Sequence, residues 1–236
     1  MFIHEQKNMD RNERKERAEK AAQALADNLK RNLIRDHSVL NEFLQKAVAL
    51  AIQTHEINQK QKRKGKDVPY VVHPLMVGLI LAKAGAHDAI IAAGILHDTI
   101  EDSVPEKKVT SEMMRRNFGL VVAGAVDDVT EKNKQLPWKE RKLEALEHIR
   151  TLQGPSLWVK TADTISNVSD LLRDYEIDHD SAFSHFNASK EDILGNYRSV
   201  IDALLERWGT KAENPMIMDL RALADDLKRI TTERSN

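Results

Sequence analysis

Apolar residues recur every three to four positions along most of the chain, the spacing of one buried face of an α-helix. Val39, Leu40, Phe43, Leu44, Ala47, Leu50 and Ala51 form such a stripe and predict an amphipathic helix over about 39–58. A polar loop follows over 59–72, and a helix is expected from Pro74, a favoured first position, to about Lys83. The next segment, about 88–100, is apolar nearly all round through Ala89, Ile90, Ile91, Ala92, Ala93, Ile95 and Leu96. A helix of that kind belongs in the middle of a domain. Further helices are expected at about 110–117, 119–131, 138–152, 156–173, 187–208 and 215–231, with 174–186 as a mobile connection. Residues 8–35 read as an exposed, highly charged helix with a weak apolar stripe, an extension or oligomer contact. No alternating run is long enough for a strand; Tyr70-Val71-Val72 comes nearest. The expectation is an all-α protein: a charged helical extension over 1–36, a helical bundle over 37–208 and a C-terminal helix in 209–236.

Composition narrows the function. The 236 residues hold 36 basic and 37 acidic side chains, a formal charge of −1 that argues against a domain devoted to nucleic acid. The chain has no cysteine, which excludes disulfides, thiolate metal sites and cysteine nucleophiles. No apolar stretch approaches the roughly 18 residues a membrane span needs, and the charged first 20 residues lack a signal-peptide core. A cytoplasmic protein is expected.

The chemistry concentrates at the end of the apolar helix, in His97-Asp98-Thr99-Ile100-Glu101-Asp102. The three carboxylates, within about one and a half turns beside an imidazole, repel one another unless something positive is present, and a divalent cation is the simplest compensation. Two further residues suit the same site. His73 precedes Pro74, which is expected to hold it outside the helix at the helix start. Asp163 lies in the amphipathic segment Trp158 to Asn167, with Asn167 four residues on along the same face. Two neutral imidazoles and two carboxylates would neutralise a divalent ion and leave positions for water and a substrate oxygen. Such a mixed set suits Mn²⁺, Fe²⁺ or Zn²⁺. His87-Asp88 reads instead as a helix start, and Asp178-His179-Asp180 as a solvated loop.

The ordered series Pro69-Tyr70-Val71-Val72-His73-Pro74, Ile95 to Asp102 and Lys160-Thr161-Ala162-Asp163 through Asn167 resembles the HD-domain superfamily of metal phosphohydrolases. Within it, the chain is most similar to the hydrolase domain of the RelA/SpoT homologues, which degrade (p)ppGpp. Phe118-Gly119, Val126 to Thr130 and Lys139-Glu140-Arg141-Lys142 also fall where that branch has similar segments, so the resemblance covers about residues 39–175. It implies His73, His97, Asp98 and Asp163 as ligands of one divalent metal, Mn²⁺ in most of the branch. It implies Glu101 and Asp102 as catalytic acids, Asn167 as a substrate contact, and Arg63 with Lys64 beside it at the guanine base. The activity implied is removal of the 3′-pyrophosphate of (p)ppGpp by a stand-alone small hydrolase.

Ser169 stands near a point where the family usually has Arg, and Gly65-Lys66-Asp67-Val68 replaces the usual loop wording. These departures keep other nucleotides open: an adenine alarmone, the 2′-phosphate of NADPH, or a 5′-nucleotide. A non-catalytic nucleotide sensor is the alternative of another class. Five of the seven residues from Lys60 to Lys66 are cationic, which suits a compact polyanion. Lys107-Lys108, Arg115-Arg116 and Arg141-Lys142 read as surface charge, with Arg141 or Lys142 within reach of phosphates. The partners expected are a nucleotide and, through the N-terminal helix, a second copy of the chain.

Overall fold

The structure is a computed structural model that describes residues 41–209 and 214–232. Residues 8–35, read from the sequence as an exposed helix, lie outside the described residues. From Phe43 onward the chain forms one compact unit. Its regular structure is helical; extended backbone pairs only in an isolated bridge between Lys62 and Pro69 among the described residues. No described helix is long and apolar enough to cross a membrane.

The helices are α1 (Glu42–Ile52), α2 (Val72–Lys83), α3 (Asp88–Leu96), the single turn α4 (Thr99–Asp102), α5 (Ser111–Val129), α6 (Trp138–Ile149), α7 (Gly154–Asp178), α8 (Lys190–Trp208) and α9 (Met216–Thr232). α3 fills the centre, with Ile91 through Leu96 all buried, and α2, α5 and α7 surround it. α2 and α3 form an antiparallel hairpin packed at close range. A Cβ on Gly78 would run into Ile95, and one on Gly94 into Leu81, so two side-chain-free positions set the approach. That approach brings the start of α2, with His73, beside the end of α3, with His97. α7 is the hub, packing on α2, α3 and α5 and, along other faces, on α8 and α9.

The local chemistry explains the boundaries. Thr110 caps α5 by accepting the Met113 N–H, and Ser189 caps α8 by accepting that of Asp192. Gly119, at φ +85°, splits α5 into the two helices expected from the sequence. Four expectations change. α2 begins at Val72, so His73 sits inside the first turn rather than before it. Pro74 is accommodated there because the first N–H groups of a helix have no intrahelical acceptor to lose. The expected helix over 88–100 ends at Leu96, and His97 and Asp98 form a turn before α4. The expected mobile connection 174–186 is instead the end of α7 and a 3₁₀ turn, His179–Phe183. That turn is held by the buried side chains of Ala182 and Phe183 and by Lys190, which lies over the Tyr175 and Phe183 rings.

The expected α1 helix also changes character near its end. Residues Gln53–Asn58 form a π-turn rather than continuing as α-helix. This wider turn carries His55 fully into the interior.

Candidate metal centre

Three elements bring the sequence candidates together. His73 Nε2 lies 3.3 Å from Asp163 Oδ1, and His97 Nε2 lies 2.9 Å from Asp98 Oδ2. The crossed distances, His73 to Asp98 and His97 to Asp163, are 3.9 and 3.8 Å. The two imidazoles meet edge to face with centroids 5.2 Å apart.

Their outer nitrogens are engaged. His97 Nδ1 is 2.8 Å from the Gly94 carbonyl, which can only accept, so that nitrogen carries the hydrogen. His73 Nδ1 is 3.0 Å from the Ser166 hydroxyl. Both Nε2 atoms therefore face the carboxylates, the orientation that a hydrogen bond at the outer nitrogen gives metal-binding imidazoles. His73, His97 and Asp163 each offer one ligand atom, all within 4.8 Å of one another. The donor set fits a divalent cation.

The charges are strongly coupled. Burial works to lower the His97 pKa, but the adjacent Asp98, with Asp163, outweighs it and raises it to about 9. Burial works to raise Asp98, yet His97 and His73 hold it below the usual carboxylate range. Burial also opposes ionisation of Asp163; Lys160 and His73 overcome it and hold the carboxyl well down. Lys160 Nζ bonds Asp163 Oδ2 at 2.8 Å, and Asn167 Nδ2 donates to Oδ1 at 2.6 Å. The Tyr70 hydroxyl donates to Asp98 Oδ2 at 2.5 Å. Burial, then Asp98, pushes that phenol far above its ordinary value, so it stays a donor.

The two remaining acids are held differently. Glu101 Oε2 accepts the Glu131 N–H at 3.0 Å, and Oε1 is 3.0 Å from Lys134 Nζ. Burial and Asp98 raise the Glu101 pKa against the pull of Lys134. Asp102 accepts from Gln61 Nε2 at 3.0 Å and lies 3.6 Å from Lys134.

A cavity of about 350 Å³ opens over His73, His97, Asp98 and Asp163, with Glu101 on its wall. Lys132, Arg141, Lys142 and Lys160 line the same cavity. A second chamber of about 250 Å³ shares Arg141, Lys142, Lys160, Asp163 and Asn167 and adds Trp138, Phe186 and Tyr197. Burial pushes the Tyr197 phenol up to about 12. Asp102 lines neither chamber.

The basic loop divides. Lys64 borders the second chamber, 5.3 Å above the Phe186 ring. Arg63 lines neither chamber; its guanidinium binds Asp170 at 2.8 Å and Asn167 at 3.1 Å, and it lies 5.7 Å from the Tyr70 ring centre. Lys62 pairs with Asp67 and Lys66 with Asp174. The run of cations is thus largely neutralised by acids that the sequence places far away or on the loop's own turn.

Sequence reasoning underrated Arg141 and Lys142. Their face of α6 looks like an exposed charged stripe, and only the packing of α6 over the centre turns it inward. It also passed over Tyr70, Lys134 and Lys160. A Lys three residues before the buried Asp163, on the same helix face, was the available signal for Lys160. Arg115 and Arg116, by contrast, pair with Glu112 at the surface, as expected.

A helical bundle with a buried His/His/Asp group defines a class, and residues 47–188 match the HD domain family model, so the chain belongs to the HD domain family. Within it, the chain is homologous to the guanosine-3′,5′-bis(diphosphate) 3′-pyrophosphohydrolases called MESH1 and to the hydrolase domains of RelA/SpoT proteins. The Xenopus tropicalis MESH1 is 37% identical over 121 residues, which is 50% of this chain and 65% of that protein. The mouse MESH1 is 33% identical over 135 residues, 56% of this chain and 73% of that protein. The chain thus spans about two thirds of the length of these relatives. A solved structure described as a metazoan orthologue of SpoT that hydrolyses ppGpp shares the fold, with a TM-score of 0.62 at 22% identity, covering 81% of this chain and 97% of that one.

Proposed function

We propose that this chain is a metal-dependent pyrophosphohydrolase that removes the 3′-pyrophosphate of (p)ppGpp, giving GDP or GTP. The observation that carries the reading is a buried imidazole–carboxylate group opening into a cavity ringed by Lys132, Arg141, Lys142 and Lys160. The homology to enzymes named for this reaction supports the choice of substrate. A divalent ion, with Mn²⁺ as the metal to try first, would be held by His73, His97, Asp98 and Asp163, and when bound would supply Lewis acidity toward a phosphoryl oxygen.

The chain's own residues have distinct tasks. The cationic wall receives the pyrophosphate, and charge-assisted contacts there hold it in register. The second chamber, with Trp138, Phe186 and Tyr197, offers aromatic surface to the nucleoside, while Lys64 and Asn167 border the same space. Glu101, held by the Glu131 N–H and Lys134, receives the proton of the attacking water. The water oxygen bonds to phosphorus as the bond to ribose O3′ breaks, and a proton returns to that oxygen.

The test is pyrophosphate release from the purified protein supplied with ppGpp and Mn²⁺. Asp98→Ala serves as the control. Release that disappears in the control supports the reading; metal bound without release overturns it. A second reading is a different nucleotide substrate, favoured by the pairing of Arg63 with Asp170, which occupies the side chain expected at the base. Running adenine and guanine tetraphosphates and NADPH side by side separates the two.

Lys142 gives a pH signature. Burial lowers its pKa below 10.5, Lys160 and Arg141 add to the effect, and Glu131 opposes it. Its charge is therefore present at neutral pH and is lost, as pH rises, before that of an ordinary lysine. KM should climb about tenfold through that alkaline window, the order of one charge-assisted hydrogen bond. In Lys142→Arg, which keeps its charge, the climb should be absent. Superimposable profiles for the two proteins would remove Lys142 from the phosphate wall.

A further inference from the structure

Beside the metal group, a line of polar side chains runs from the buried His55 through half-buried Gln61 and Asp102 to Lys134 at the surface, and its first three members have no part in the reading above. His55 is fully buried on the π-turn, and its Nδ1 lies 3.0 Å from Gln61 Oε1. Gln61 Nε2 in turn donates to Asp102 Oδ2 at 3.0 Å. Asp102 Oδ1 is 3.6 Å from Lys134 Nζ, and the same ammonium is 3.0 Å from Glu101 Oε1.

The direction of these bonds is fixed by chemistry. The Gln61 amide NH₂ donates to a carboxylate oxygen of Asp102, which fixes the orientation of the amide. Its carbonyl then faces His55, and His55 Nδ1 must carry the hydrogen. The remaining nitrogen, Nε2, is left as a buried acceptor with no hydrogen-bond partner among the described residues. A buried orphan of this kind costs free energy, so the arrangement calls for an explanation.

The backbone adds two observations. The Gln61 N–H closes the π-turn on the His55 carbonyl at 2.9 Å, and the Gln61 carbonyl accepts the Tyr70 N–H at 2.8 Å. Lys60, immediately before it, sits at φ +49°, a conformation unfavourable for a side chain with a Cβ. π-Turns and strained residues both cluster at functional sites. Here they serve one purpose: Gln61 is gripped at its N–H, its carbonyl and both ends of its side chain.

We infer that His55, Gln61 and Asp102 form a positioning arm that anchors Lys134 and, through it, aims Glu101 into the cavity. Asp102 acts in this arm as an interior anchor rather than as a second group touching substrate, in keeping with its place outside both chambers. The inference rests on the hydrolase reading for its catalytic consequence but not for its geometry.

The experiment has two arms. In ¹⁵N-histidine NMR of the full chain, His55 should be the Nδ1–H tautomer, and Gln61→Met should abolish that preference. An Nε2–H tautomer in the unmodified protein overturns the inference whether or not the protein hydrolyses anything. In kinetics, Gln61→Met should cut kcat about tenfold, the order of one lost hydrogen bond, with KM and bound metal unchanged. Introduced beside Lys134→Met, it should cost nothing further, because both act through the same ammonium. Full turnover in Gln61→Met, equal losses in both backgrounds, or loss of metal would each overturn the arm. His55→Phe repeats the kinetic test from its far end. Failure of the hydrolase reading would show instead as an inactive unmodified protein, with the tautomer measurement still deciding the arm.

Discussion

Replacing Asp163 by Ala should abolish metal binding and hydrolysis together. Asp163 Oδ1 is the carboxylate oxygen that joins His73 and His97 in the ligand group, and Oδ2 is held by Lys160. Without it, two buried imidazoles and Asp98 face one another across a site short of charge and of one ligand. Electrophilic stabilisation worth several kcal/mol is lost with the ion, so kcat/KM should fall by about 10³-fold or more. Lys160 also loses its partner, which makes the metal-free protein less stable; breaking a buried ion pair costs about 3–5 kcal/mol, less here because Lys160 keeps some solvent contact. Asp163→Asn keeps the shape and separates the two effects: its fold should survive while its metal does not. Elemental analysis after dialysis, with thermal unfolding alongside, reads both. A variant that retains stoichiometric metal removes Asp163 from the ligand set.

The same residue shows what a sequence can and cannot carry. The convergence of Asp163, His73, His97 and Asp98 was legible because each lies within a helix or at its end, and helix periodicity records which face is buried. Helices were expected where α1 to α3 and α5 to α9 lie for the same reason, but not at the single turn α4. The break at His97-Asp98 left no mark in the pattern, since Ile100 lies four residues after Leu96 and keeps the helical spacing, and propensity does not register a two-residue turn. The π-turn was equally silent: Gln53 to Asn58 has ordinary helical composition, and its geometry follows from burying His55 rather than from a local preference. Arg63 shows a different limit. A loop's charges can be counted from sequence, but Asp170 and Asp174, which pair with Arg63 and Lys66, lie more than 100 residues away on α7. Tertiary pairing of this kind decides whether a cation is free for a ligand, and no local signal reports it.

Glu101→Gln is the change that should separate chemistry from binding. The substitution keeps the side chain's length and leaves one oxygen to accept the Glu131 N–H, so the loop after α5 should stay in place. It removes the negative charge that Lys134 approaches at 3.0 Å and, with it, the ability to take a proton from water. His73, His97, Asp98 and Asp163 are untouched, so bound metal should equal that of the unmodified protein. KM should change little, because Arg141, Lys142 and Lys160 pair with Glu131 and Asp163 rather than with Glu101 and keep their places. Turnover should fall by about 10²- to 10⁴-fold, the range that positioned general acids and bases contribute. The contrast with Asp163→Ala is the informative part. If both variants lose turnover but only Asp163→Ala loses metal, ligand and proton acceptor are distinct groups, the first on α7 and the second on α4. If Glu101→Gln turns over at near the unmodified rate, another group moves the proton, and Asp102 becomes the first to examine in spite of its place outside the cavity.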